Sequence, residues 1–485
     1  MIDELVRLDD QGGGENVANI VISLEEVLKQ FRNVKVRKAS GPDNITGKLL
    51  KECYIQLAPI FTKLFQLSID SHTVPRYWKT SCIIPVPKIP RPSRHNDYRP
   101  VALTSIPMKC LERIILKHLI SQTLSYQDPL QFAYRHYRST DDAVLCLLHT
   151  IMQHLDTFNA SVRILFVDFS SAFNTISPHL LIRKLKNMSV NSQLIRWVAD
   201  FLVRRPQFVK VNSMRSHMRL TNTGSPQGSV VSPTLFTIFT ADCTPILADS
   251  NDKLYKFADD KGLAGLITAD QHTVYEQEVN RLVTWCDNNN LILNVKKTKE
   301  MLIDFRKNKQ SPPPLKIKGE EVERVNSYKY LGMLLTNTIT WDEHVNMLVR
   351  KCQQRMYFLR KLHRFNVSGK ILHMFYRSTI ESIFRYCISC WGGSITSSNQ
   401  KQINRVIRGA RNILGSSLPS FNDLYMKSVK DKTITILSDK THPLHGNFSK
   451  MRSGTRYHSI RCRTNRFRNT FVPSAVRILN QFATR

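Results

Sequence analysis

The run VRILFVD, residues 162 to 168, is almost unbroken apolar sequence that stops on an acid. A segment without polar alternation describes a strand buried on both faces, and the chain leaves it at Asp168. Downstream, LYKFADDKGLAGLI, residues 254 to 267, sets two apolar segments around Asp259 and Asp260. That pattern predicts a β-hairpin with two acids at its bend. If the two strands are neighbours in one sheet, three carboxylates converge at one edge, and their mutual repulsion is relieved only by cations between them. The natural occupants are two Mg²⁺ ions, hard cations that take oxygen ligands, with Mn²⁺ as a substitute. Two such ions about 4 Å apart can activate a hydroxyl and stabilise a departing pyrophosphate, which is nucleotidyl transfer. Adjacent acids at an exposed turn are ordinarily just solvated turn residues; the second strand ending in Asp gives this pair its weight.

The background strengthens it. The 485 residues carry a formal charge of +32, and so large an unbalanced charge calls for a polyanionic partner, nucleic acid or an acidic membrane surface. Most of the excess lies late in the chain: from Arg350 to Arg485, 26 lysines and arginines stand against four acids. A hydrophobic share of 42% with 22% charged residues is globular and excludes wholesale disorder. The length implies two to four domains or subdomains. No apolar run reaches the roughly 18 residues of a membrane span, and the start MIDELVRLDD is too acidic for a signal or transit peptide. The ten cysteines form no zinc-finger pattern, Cys387 and Cys390 lacking a second pair. They read as reduced, mostly buried thiols, so the expected location is intracellular, nucleus and cytoplasm.

Along the chain, Asn19 to Leu67 has helical spacing interrupted by the turn KASGPDNITG. A strand is expected at Ser81 to Val86, followed by the proline-rich loop PVPKIPRPSRHNDYRPV. Ser177-Pro178 and Ser232-Pro233 each pair a cap with a first-turn proline and open helices. KNKQSPPPLK, from Lys307 to Lys316, reads as a linker, and YKYLGMLL from Tyr328 as a strand. Beyond it, Val345, Leu348, Val349, Cys352, Met356 and Leu359 form one helical stripe. Ile403, Val406, Ile407, Ala410, Ile413 and Leu414 form another, with a helix between them near 370 to 385.

These segments together resemble the reverse transcriptases of non-LTR, LINE-type retrotransposons, over most of the chain. LFVDFSSAFNTI (Leu165 to Ile176) resembles that family's motif A, TGSPQGSVVSPTLF (Thr223 to Phe236) motif B and KFADD (Lys256 to Asp260) motif C. LILNVKKTKEM (Leu291 to Met301) resembles motif D, and YKYLG (Tyr328 to Gly332) the strand that grips the primer end. Upstream, ASGPDNI, WKTSCIIPVPK, DYRPVALTS and DPLQFAYRHYRSTDDA resemble its fingers segments. Each alone is weak; their order and spacing together are specific. The set is closer to LINE-type enzymes than to intron-encoded maturases.

The resemblance implies an α+β right-hand polymerase: an N-terminal extension and fingers over residues 1–160, a palm with an antiparallel sheet over 161–340, a helical thumb over 341–415 and a basic nucleic-acid-binding segment over 416–485. It implies RNA-directed DNA synthesis from dNTPs at a DNA primer 3′ end or nicked target DNA. It makes Asp168, Asp259 and Asp260 catalytic metal ligands, joined by the carbonyl of Phe169. Phe173 would lie beneath the incoming sugar, where its ring excludes a 2′-hydroxyl. Gln227 and Gly228 would contact nucleotide and template, and Lys88 and Arg99 would hold the triphosphate. Lys297 or Lys299 would protonate the pyrophosphate, and Tyr330, Leu331 and Gly332 would grip the primer. In the tail YHSIRCRTNRFRNTFVP, Arg461, Arg463, Arg466 and Arg468 would meet phosphates while Tyr457, Phe467 and Phe471 stack on bases. Two features depart from the family pattern. Lys261 follows Asp260 where a small polar residue is usual, and an ammonium there would pair with an acid or compete with a metal. No stretch reads as the endonuclease of such elements or as a zinc knuckle, so a separate endonuclease is expected. The competing expectation is a decayed remnant that binds nucleic acid without polymerising.

Overall fold

The computed structural model describes residues 19–245, 251–307, 311–452 and 454–482. The start MIDELVRLDD and residues 308–310 of the linker lie outside them. The fold mixes helix and sheet, and its longer strands are, in chain order, β1 (Ser81–Pro87), β2 (Tyr98–Leu103), β3 (Ala160–Val167), β4 (Arg205–Val211), β5 (Lys253–Phe257), β6 (Asp260–Thr268), β7 (Lys299–Asp304), β8 (Ser327–Tyr330) and β9 (Met333–Thr336). No helix among the described residues is long and apolar enough to cross a membrane.

The chain divides into two compact units. The first takes the residues up to Asp128, Phe169–Cys243 and Thr284–Ile292. Its helix Leu24–Arg32 opens with a capping box, Ser23 and Glu26 exchanging side-chain and main-chain bonds. Phe31 on that helix packs against Phe61 and Phe65 of the helix Tyr54–Asp70, and Trp78 closes the aromatic cluster. In the sheet β2-β1-β4, β1 runs antiparallel to β2 and parallel to β4. Both expected Ser-Pro helices form, Pro178–Asn187 and Ser232–Phe239. Ser177 caps the first through Leu180; in the second, Ser232 is already helical and Val231 holds the cap position.

The second unit takes Pro129–Asp168, Thr244–Val283 and Leu293 onward. Residues 129–160, grouped with the fingers on sequence, therefore lie with the central sheet. In that sheet β3 is flanked by β6 on one side and β7 on the other, with β5 outside β6, all antiparallel. Every residue of β3 is buried, including Arg163. A buried guanidinium persists only when paired. Arg163 meets Glu300 at 2.8 Å and Glu276 at 3.0 Å, and lies over the Tyr275 ring. YKYLGMLL is a hairpin rather than one strand: β8 and β9 close at the pair Tyr330 and Met333. Leu331 and Gly332, at φ 45° and 85°, form the two-residue turn, the left-handed pair such a hairpin needs.

The stripe from Val345 to Leu359 is buried along the helix Asp342–Arg364, which packs on the helix Ser397–Leu414. The residues past 415 are not an appended segment. Helices Phe421–Ser438 and Phe471–Phe482 join the same core. Lys432 and His442 also reach Asp142, on the helix Thr140–Leu155, at 3.0 and 3.2 Å.

Candidate active site

The three acids of the sequence reading come together within the second unit. The register of β3 against β6 pairs Val167 with Lys261, so Asp168 follows directly opposite Asp260 at the strand ends. The hairpin β5–β6 closes at Phe257 and Asp260. Its bend is therefore Ala258–Asp259, and Asp260 is the first strand residue instead of part of the turn. Ala258 sits at φ 57°, in the left-handed region that side chains with a Cβ adopt at some cost. Its N–H is received by Gln131 Oε1 at 3.3 Å, and Gln131 runs beside β5, bridging to Lys256. Gln131 and the neighbouring Tyr134, which senses the Asp259 charge, were legible only as members of DPLQFAYR. Gln131 holds the turn through one acceptor, and spacing does not show it.

Electrostatics agree with convergence. Partial burial first, and then the charges of Asp259 and Asp168, push the Asp260 carboxyl up to about 6, although the residue keeps access to solvent. Like charges crowding one carboxyl are what a divalent ion relieves, and an all-carboxylate donor set suits a hard cation. The residues thus fit Mg²⁺. Their grouping is loose: among the described residues, the ligand-type side chains with donor atoms all within 4.8 Å of one another are Asp141, Cys387 and Cys390. There Lys432 already stands 3.7 Å from Asp141, and the Cys390 thiol donates to its carboxylate. That cluster is a hydrogen-bonded joint between helices.

Lys261 is 1% exposed, and by alternation along β6 it points to the face opposite Asp260. Lys297 stands beside one of the acids: its Nζ lies 3.9 Å from Asp168 Oδ2, both in reach of solvent. Lys299 instead pairs with Glu323 at 2.5 Å. The hairpin β8–β9 lies on the carboxylate face, Tyr328 stacking on Phe166 with centroids 4.1 Å apart and Tyr330 at 5.4 Å. Burial and the charges of Asp260 and Asp168 raise the Tyr328 phenol above its ordinary value. Tyr330 is buried, and Tyr386 Oη donates to the Leu331 carbonyl at 2.7 Å, fixing the turn.

The residues assigned to the nucleotide belong to the first unit. Phe169, whose carbonyl was assigned to a metal, is also in that unit and is buried. Phe173 is half-buried, its ring stacked on Phe236 at 4.8 Å. Its carbonyl accepts the Ser225 N–H at 2.9 Å, joining the motif A and motif B segments. Gln227 Nε2 donates to Asn174 at 3.2 Å, and the Gln227 carbonyl accepts the Ala102 N–H at 2.7 Å. Gly228, at φ 132°, presses so close to Ala102 that a Cβ would stand 2.5 Å from its carbonyl oxygen; only glycine fits. Lys88 and Arg99 share the β1–β2 hairpin, Arg99 opposite Val86 and the Lys88 N–H bonded to the Asp97 carbonyl.

The basic tail departs from expectation. Phe467 and Phe471 are buried in the core, out of reach of bases. Arg463 lies over Phe158 and Arg466 over Phe305, and all four arginines of the segment are exposed. Asp156 holds the segment through the N–H groups of Arg463 and Thr464, each at 2.7 Å.

Comparison with known proteins shows which family the chain belongs to. The model for reverse transcriptase (RNA-dependent DNA polymerase) matches residues 86–335, and the chain belongs to that family. Its relatives include a probable RNA-directed DNA polymerase from transposon BS of Drosophila melanogaster, 26% identical over 80% of this chain and 44% of the relative. The RNA-directed DNA polymerase from mobile element jockey of the same fly is 24% identical over 76% of this chain and 41% of the relative. The Pol polyprotein from type-1 retrotransposable element R1 of Bradysia coprophila is 23% identical over 76% and 37%. These relatives place the chain with the LINE-type enzymes. It spans less than half the length of each. A second model, the N-terminal region of alkylated DNA repair protein alkB homolog 8, matches residues 341–382, a helical stretch with none of the site residues above.

Proposed function

We propose that this chain is an RNA-directed DNA polymerase that extends a DNA 3′ end on an RNA template. In right-hand terms, the sheet β7-β3-β6-β5 is the palm, β1–β2 and the N-terminal helices belong to the fingers, and the helices from Asp342 to Leu414 make the thumb. The observation that carries the reading is the meeting of Asp168, Asp259 and Asp260 on one sheet edge, with the Tyr328–Tyr330 hairpin on the same face.

Asp168, Asp259 and Asp260, with the Phe169 carbonyl, would hold two Mg²⁺ ions, or Mn²⁺ in their place. Bound ions would supply an activated primer hydroxyl and neutralised phosphate charge. The protein's own groups do the rest. Lys297 is the ammonium beside Asp168 and the better placed of the two motif D lysines to deliver a proton to pyrophosphate. Lys88 and Arg99 neutralise the triphosphate, Gln227 and Gly228 meet nucleotide and template, and Phe173 bars the 2′-hydroxyl. The turn of β8–β9 holds the primer end. Priming would take place at nicked target DNA inside the cell, in nucleus and cytoplasm, the nick being made by an endonuclease activity.

The test is extension of oligo(dT) on poly(rA) with dTTP and Mg²⁺. Wild-type protein should extend the primer, while Asp168→Asn and Asp259→Asn should fall to the level of a no-enzyme control with RNA affinity nearly intact. Full activity in either variant would sink the metal assignment. Binding without extension by the wild type would establish a nucleic-acid-binding remnant.

A further inference from the structure

The loop bearing Gln227 and Gly228 is gripped at both ends by buried charges that no family motif quoted above contains. At the downstream end stands Glu112, on the helix Ile106–Thr123 and fully buried. Its Oε2 accepts the main-chain N–H of Val230 and, at 3.0 Å, that of Val231. These N–H groups lead directly into the helix Ser232–Phe239, whose N-terminus favours negative charge. At the upstream end stands Arg205, the first residue of β4 and 5% exposed. Its guanidinium donates to the carbonyls of Thr223 and Gly224, each at 2.7 Å, and of Leu202 at 3.1 Å. An acid takes N–H groups at one end and a base takes carbonyls at the other, so each charge matches the main-chain polarity it meets.

Between these anchors the loop surfaces, Gly228 exposed and Gln227 half-buried. Burying two charges is a costly way to fix a surface loop, and apolar packing would serve stability at least as well. What charge-assisted bonds add is direction. Burial pushes the Glu112 carboxyl up while the two N–H groups draw it down, and burial pushes the Arg205 guanidinium down to about 10.

We propose that Glu112 and Arg205 are positioning residues that lock Thr223–Val231 from its two ends, so that Gln227 and Gly228 meet the incoming nucleotide in a single conformation. The inference rests on the reading of Gln227–Gly228 as a nucleotide contact. It separates the two residues from a general role in stability, because what they hold is a loop and not a core.

The experiment compares Glu112→Ala, Glu112→Gln, Arg205→Met and Gln227→Ala in poly(rA)/oligo(dT) extension, with amide hydrogen exchange over residues 223–231. Glu112→Ala and Arg205→Met should raise the KM for dTTP about tenfold, the equivalent of one lost charge-assisted hydrogen bond, with kcat within about threefold. Exchange at Val230 and Val231 should accelerate in Glu112→Ala. Glu112→Gln, whose carbonyl still accepts both N–H groups, should recover most of the KM. Unaltered exchange in Glu112→Ala would overturn the lock. A wild-type KM in Glu112→Ala and Arg205→Met would overturn the proposal too. If Gln227→Ala alone then raised the KM, the nucleotide reading would survive without the lock; if it left the KM unmoved, that reading would fall as well.

Discussion

At the scale of single residues, what the sequence announces is a side chain set in a readable run of neighbours. Asp168, Asp259 and Asp260 were legible because a strand ending in an acid and a hairpin carrying two more is a pattern written in consecutive letters. Gln131 was not, since its contribution is one acceptor offered to the Ala258 N–H from more than a hundred positions away. Glu112 and Arg205 escaped for the same reason: each acts on main-chain groups, which every residue has. Phe173 lies between these cases. Its place five residues after Asp168 made it a candidate, and the stack on Phe236 shows how the ring is kept from swinging away. Phe173→Val removes that ring edge while keeping an apolar side chain. We expect ribonucleotide incorporation relative to deoxynucleotide to rise on the order of tenfold or more, in the range that steric discrimination supplies. Competing rUTP and dTTP on poly(rA) measures the ratio; an unchanged preference would remove Phe173 from the nucleotide site.

At the scale of elements, burial patterns foretold β3, β5, β6 and the helix Asp342–Arg364, but not how β8 folds back. YKYLGMLL is apolar enough to be one strand; the turn depends on Leu331 accepting a positive φ beside Gly332, which the Tyr386 hydroxyl secures from another element. The joint between β9 and the following helix carries a pH signature. His344 accepts the Leu334 N–H through Nδ1 at 3.3 Å and lies edge-on to Trp341 and Trp391. Burial, with Lys351 nearby, pushes its pKa down to about 4. An unfolded histidine titrates near 6.5, so the unfolded state binds the extra proton between these values. Stability from a neutral His344 is therefore full above about pH 6.5 and lost as pH falls toward 4, amounting to about 2 kcal/mol by pH 5. His149, also pushed to about 4 by burial, adds a similar slope. His344→Gln should thus lose distinctly less stability than wild type between pH 7 and pH 5 in urea titrations. Parallel curves for the two proteins would show that His344 does not control this range.

At the scale of the whole molecule, the charge of +32 was visible in composition alone, but its use was not, because composition cannot say which cations are already engaged. The last residues were expected to be a basic, base-stacking segment; instead their aromatic residues build the core. A capping box at Ser420 and Asp423 opens the helix Phe421–Ser438, a signal present in the letters and outweighed by the charge. The four tail arginines are all exposed, but Arg463 and Arg466 also lie over the rings of Phe158 and Phe305. The helix Asp342–Arg364 also exposes Arg350, Lys351, Arg355, Lys361 and Arg364, with Tyr357 and Phe358 among them. A surface of this kind binds single strands mainly by releasing counterions, at about 0.7 in the log–log salt slope for each phosphate neutralised. Affinity for a single-stranded RNA should therefore fall steeply between about 50 and 200 mM salt. The double variant Arg461→Ala, Arg468→Ala should lower the slope by roughly 1 with no loss of thermal stability. Arg463→Ala should instead cost stability first, because its guanidinium also donates to the Thr157 carbonyl at 2.7 Å. Filter-binding isotherms across salt, read beside melting curves, separate the two kinds of arginine. An unchanged slope in the double variant would show that the tail arginines neutralise no RNA phosphate, leaving the exposed cations of the Asp342–Arg364 helix as the next set to remove.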